Sequence, residues 1–132
     1  MRIIFCLFLL LSISSCAVLD YPKRIAGYST ANFETEQKGR FSIKTNLSAQ
    51  KAYNKCNLFL FEKSIQTNFK NDKRMYVVAS KFSLLYEYCL DSTEVGFFVH
   101  PLEEETSEIE VISNNSRLAK FVYGLLSEYI KK

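Results

Sequence analysis

Histidine, glycine and clustered metal ligands are what this chain has least of, and their scarcity removes most enzyme classes. Its 132 residues include one histidine, His100, and four glycines, Gly27, Gly39, Gly96 and Gly124, none of them grouped. A glycine-rich turn cradling phosphate is therefore missing. So are paired-cysteine zinc spacing, the two-histidine helical motif of zinc proteases and the serine elbow of α/β-hydrolases. Any Ser-His-Asp or Cys-His scheme would have to recruit His100, whose sequence neighbours offer no partner. His100 stands beside a turn, where an ordinary, partly exposed imidazole is expected. Carboxylates crowd together at Glu103, Glu104, Glu105, Glu108 and Glu110. They lack the aspartate- and glycine-rich loop that cages Ca²⁺ and the buried setting that raises a carboxyl pKa for acid catalysis. The expectation is a protein that is not an enzyme and uses no metal or cofactor.

Long apolar runs are missing too. The longest, Ile3 to Leu11, has nine residues, whereas a spanning helix needs about 20. Arg2 precedes it, and Ser12-Ile13-Ser14-Ser15-Cys16 closes it with small residues and a cysteine. That is the layout of a processed targeting segment. Ile13-Ser14-Ser15-Cys16 resembles the lipobox of bacterial lipoproteins, in which the cysteine is acylated and becomes the mature N-terminus. The resemblance implies a signal peptide over residues 1–15 and a palmitate-type anchor on Cys16. With Ala17 following the cysteine, it also implies a place at the periplasmic side of the outer membrane. One acyl chain anchors only marginally and two or more anchor stably. The same residues also allow cleavage before Ala17, which would give a freely secreted protein.

Removal of the leader changes the cysteine count. Of four cysteines, Cys6 leaves with the leader and Cys16 is acylated or removed, so Cys56 and Cys89 remain in the mature chain. Two cysteines in an exported chain are a disulfide candidate, and closing so long a loop would stabilise the fold by roughly 3.5 to 4 kcal/mol. The alternative is a pair of small buried hydrophobes on different faces.

Residues 16–38 read as a lipidated terminus and tether, thin in apolar side chains and carrying Pro22, Gly27, Ser29 and Thr30. Tyr21, Ile25, Tyr28 and Phe33 leave open an extra strand there. From residue 39 to 132 the pattern is that of one small domain. Arg40 to Thr45 alternates as a strand does. Asn46 to Ser48 offer capping side chains, and Ala49, Ala52, Tyr53, Cys56, Phe59 and Leu60 recur at helical spacing. Asn68 to Asp72 is turn-rich, Met75 to Leu90 suits one bent strand or two, and Thr93 to Val99 suits another, ended by His100-Pro101. Glu103 to Thr106 make a turn and Ile109 to Ile112 alternate again. Asn114 to Ser116 cap a second helix with a stripe of Leu118, Phe121, Val122, Leu125 and Tyr129. Asn46-Leu47-Ser48 and Asn114-Asn115-Ser116 match glycosylation sequons and serve more simply as caps. The order β-α-β-β-β-α, or with one further strand, predicts an α+β fold: a small antiparallel sheet with two helices on one face. That layout resembles the helix-grip domains of small envelope lipoproteins.

Charge is sorted along the chain. Ten basic residues lie between Lys38 and Lys81 against Glu62 and Asp72 alone, and eight acidic residues with no lysine or arginine lie between Phe82 and Ser116. The formal net charge of +3 falls to +2 without Arg2, too little to argue for nucleic acid. The acidic hairpin Glu103, Glu104, Glu105, Glu108 and Glu110 is the candidate partner-binding surface, for an envelope protein or another copy. The expected function is a lipid-anchored binding or scaffold accessory of the cell envelope. The alternative is a carrier or sensor of a small apolar ligand, in a helix-sheet groove lined by Phe82, Tyr86, Tyr88, Phe97 and Phe98.

Overall fold

Alternation in Arg40-Phe41-Ser42-Ile43-Lys44-Thr45 becomes strand β1, Arg40–Thr45, at the edge of a five-stranded antiparallel sheet. The structure is a computed structural model that describes residues 39–132; the leader, Cys16 and the tether lie outside the described residues. Helix α1, Ala49–Glu62, follows, and its buried face is Ala49, Ala52, Tyr53, Cys56, Phe59 and Leu60, as the spacing predicts. Ser48 holds the N-cap position without a side-chain bond. A four-strand meander then runs through β2 (Gln66–Asn71), β3 (Tyr76–Ser80), β4 (Val95–Glu103) and β5 (Thr106–Ile112). Helix α2, Ser116–Ile130, ends the fold, capped by the Asn115 carboxamide oxygen, which accepts from the Leu118 N–H.

The strand order is β1-β5-β4-β3-β2. Both helices pack on one face, where Ile43, Val77, Phe97, Val99, Ile109 and Val111 meet Phe59, Leu60, Leu118, Val122 and Leu126. Because successive strand residues point to opposite faces, the other face collects Tyr76, Val78, Phe98 and Ile112, with Phe69 beside them. There Phe69, Tyr76 and Phe98 stack in a row across three strands, with centroids 5.7 and 5.4 Å apart.

The α+β class and the helices on one face hold, with four strands after α1. The segment expected as a turn is strand β2. Its sequence, Gln-Thr-Asn-Phe-Lys-Asn, shows no clean alternation because a bulge between Thr67 and Phe69 breaks the register. Met75 to Leu90 holds one strand, not two: Phe82–Leu84 turns as a 3₁₀ helix, and the loop beyond it is held by the Lys81 N–H donating to the Asp91 carbonyl at 3.1 Å.

Strand β4 also runs past His100-Pro101, contrary to expectation. The Val99 N–H donates to the Met75 carbonyl at 3.0 Å, so the Pro101 nitrogen, two residues on, faces the same side. Strand β3 begins only at Tyr76, so the sheet loses no bond to the proline.

Candidate functional site

The acidic hairpin divides into two parts. Glu103, Glu104 and Glu105 are exposed at the tip between β4 and β5, where Glu105 approaches Lys51 at 3.6 Å. Glu108 and Glu110 lie back along β5 on the face away from the helices. Glu110 is the most engaged of the five: one oxygen accepts from Arg40 Nη1 at 2.9 Å and the other faces His100 Nε2 at 3.1 Å. His100 is thus half-exposed beside a carboxylate on the neighbouring strand. The tip is braced from below, since the Ser107 hydroxyl donates to the Leu47 carbonyl at 2.8 Å. Three carboxylates therefore stand at the end of a two-strand hairpin.

Among the described residues, Cys56 and Cys89 are unbridged, so the expected pairing between them is not formed. Cys56 is sealed in the core on the buried face of α1, and burial pushes its thiol up to about 12. Cys89 lies in the loop after the 3₁₀ turn, where its thiol donates to the Tyr86 carbonyl at 3.1 Å. Burial and nearby Asp91 raise its pKa as well. Both shifts disfavour the thiolate, the reactive form.

The five aromatics expected to line a ligand groove do not share one face, although Tyr86 and Tyr88 touch, with ring centroids 5.7 Å apart. Phe82 and Phe97 are inside the helix-covered core, whereas Phe98 is on the opposite face of the sheet. Tyr86 packs on Phe121 of α2 with centroids 5.1 Å apart, and Tyr88 is exposed. Neighbours in sequence on one strand cannot share a face, and that parity separates Phe97 from Phe98.

A different concavity lies between β1 and α2. This open cleft of about 510 Å³ is lined by the consecutive residues 42–47 and by Tyr123, Ser127, Ile130 and Lys131 of α2. The helix residues fall on one flank, at spacings of four, three and one. Lining by the consecutive strand residues 42–45, with Asn46 and Leu47 of the turn that follows, means that the cleft meets the strand's backbone edge as well as one row of its side chains. Tyr123 is held there by Phe41, with ring centroids 5.5 Å apart. Lys44 and Lys131 supply the charge, and no carboxylate lines the cleft. Sequence reasoning missed this site, because which strand forms an edge is decided by the order of the whole sheet. The flank Tyr123, Ser127 and Lys131 was a partial signal, being the border of the apolar stripe of α2.

Among the described residues, no group of three His, Cys, Asp or Glu side chains is placed to hold a metal ion, and no helix is long and apolar enough to cross a membrane. No protein-family model matches the chain, and no curated protein matches it at a significant level.

Proposed function

We propose that this protein is an envelope lipoprotein, anchored through Cys16 on the periplasmic side of the outer membrane, whose α+β domain acts by binding a protein partner. The anchor rests on the resemblance of Ile13-Ser14-Ser15-Cys16 to a lipobox. The binding role rests on one structural observation, the exposed Glu103-Glu104-Glu105 tip at the end of the β4–β5 hairpin, whose β5 arm is paired with β1 and braced at Leu47. Charge carried on a paired hairpin steers an oppositely charged partner and sets its orientation.

Two measurements test the two halves. Labelled palmitate is expected in the wild-type protein and absent from Cys16→Ser; continued incorporation would refute the anchor. A photo-crosslinking residue at Glu104 is expected to capture a discrete basic envelope protein in cells. Glu103→Lys with Glu105→Lys should reduce that capture about tenfold, the size of effect that a few charge contacts carry. Undiminished capture would contradict the role of the tip.

A further inference from the structure

We propose that the outer edge of β1, together with the adjoining flank of α2, is a docking groove for an extended acidic segment of another protein, which joins the sheet as an added strand.

The hydrogen-bond phase of β1 is the first support. The Ser113 N–H donates to the Gly39 carbonyl at 3.1 Å. Antiparallel ladders alternate between bonded and non-bonded pairs, so residues 41, 43 and 45 turn their peptide groups toward β5, and Ser42 and Lys44 turn theirs outward. The register from Arg40 opposite Ile112 to Thr45 opposite Ser107 has no shift. The strand thus offers a regularly spaced row of donors and acceptors, the template on which strand addition works.

The groove is the second support. A strand laid along β1 would send alternate side chains to opposite faces. One set would meet Tyr123, Ser127 and Ile130 on α2, a surface suited to small or apolar residues. The other set would lie beside Lys44, on the face away from the helices. Lys44 has Glu108 as its neighbour on the inner side, and an added strand would bring a carboxylate to its outer side. Lys131 extends the positive lining at the helix end of the cleft. Acidic and apolar residues in alternation are therefore the chemistry that fits.

Charge and topology also separate a foreign partner from a second copy. Pairing two β1 strands would set Arg40 and Lys44 of each against basic residues of the other, and like charges across a ladder destabilise it. The acidic hairpin of another copy cannot serve as the added strand, since β5 is paired on both sides and the length of β4 that runs beyond β3 turns Pro101, which has no N–H, toward its open side. The remaining edge, β2, carries Lys70 and no carboxylate.

The test uses the full mature chain and a displayed library of peptides of about eight residues, near the usual strand length, in which Asp or Glu alternates with Val, Ile or Thr. A library with lysine in the acidic places is the control. The acidic library is expected to yield binders and the basic one none. The best binder should slow amide exchange at Ser42 and Lys44 at least about tenfold. N-methylation of alternate peptide residues should abolish binding in one phase and spare it in the other. Ser42→Pro, which removes an outward N–H and no bond to β5, should weaken binding about tenfold. Ser127→Arg, which fills the cleft from the helix side, should do the same if the proline variant fails to fold. The proposal is overturned if the acidic library yields no binder or if both methylation phases behave alike. Protection of Ser42 and Lys44 before any peptide is added would also overturn it, because a second copy or the chain's own residues 17–38 would then occupy the edge.

Discussion

At one edge of the sheet, β2 is broken by a bulge between Thr67 and Phe69 and is tied down by side chains. The Ser80 hydroxyl donates to the Asn68 carboxamide oxygen at 2.9 Å, and Asn68 donates in turn to Glu94 at 2.9 Å. Just past its end, the Tyr53 hydroxyl of α1 donates to Asp72 at 2.9 Å. At the other edge, β1 keeps an unbroken register and borders the cleft beside α2. Bulges and charged side chains are the usual means by which proteins blunt an edge against strand addition. Strand β2 has both, whereas β1, among the described residues, has its charges and no bulge, and those charges select for an acidic partner. The difference shows that edges of one sheet need not be equally protected, and that the less protected one is where a binding role belongs.

The largest effect is expected where β1 enters the sheet. A side chain on Gly39 would place Cβ 1.9 Å from the Ser113 carbonyl oxygen, a backbone atom that cannot swing aside. Gly39→Ala should therefore cost about 2 to 3 kcal/mol, the range for forced overpacking, and lower the melting temperature by several degrees. Ser42→Pro acts on the outward side of the same strand and should leave stability within about 1 kcal/mol of wild type. Equal losses from the two substitutions would break the distinction between the inner and outer sides of β1.

A smaller effect is expected where β2 is secured. Tyr53→Phe removes the bond to Asp72 and should cost about 1 kcal/mol by chemical denaturation. The same tyrosine gives the structure an alkaline signature. Burial, and then the bond to Asp72, push its hydroxyl up from 10.0 to about 12. The folded state therefore keeps this proton where the unfolded chain has lost it. The associated stability is complete below about pH 10, the ordinary tyrosine value, and drains away as the pH rises toward 12. Tyr53→Phe should flatten that part of the pH profile. An unchanged alkaline slope would show that Asp72 and burial do not hold the proton there.

How much of this was legible in the sequence follows from what each element depends on. Helix α1 was legible in full, since the six residues from Ala49 to Leu60 that repeat at helical spacing are the six that are buried. The same holds for β1, whose alternation needs no knowledge of its neighbours, and for the Asn115 cap. Strand β2 was hidden because an edge strand with a bulge has no strict period. Pro101 misled because a proline ends a strand only where its missing N–H would have met a partner, and that depends on where β3 begins. The free state of Cys56 and Cys89 depends on three-dimensional placement, which sequence separation does not encode. The acidic tip was visible as composition, whereas the engagement of Glu110 with Arg40 and His100 required the register of β1, β5 and β4. The cleft beside α2 was invisible for the same reason, being a property of strand order.

The central claim is that β1, and not β2, is the edge that accepts a strand. The phase of β3, fixed by the Met75 bond to Val99, turns the Lys70 peptide group of β2 outward, opposite Val77 in the register, as Ser42 is turned outward on β1. Ser42→Pro and Lys70→Pro thus remove equivalent outward donors from the two edges. The deciding measurement is the affinity of a selected acidic peptide for both variants by calorimetry. The expected result is about a tenfold loss for Ser42→Pro and wild-type affinity for Lys70→Pro; equal affinities, or the reverse order, would contradict the account.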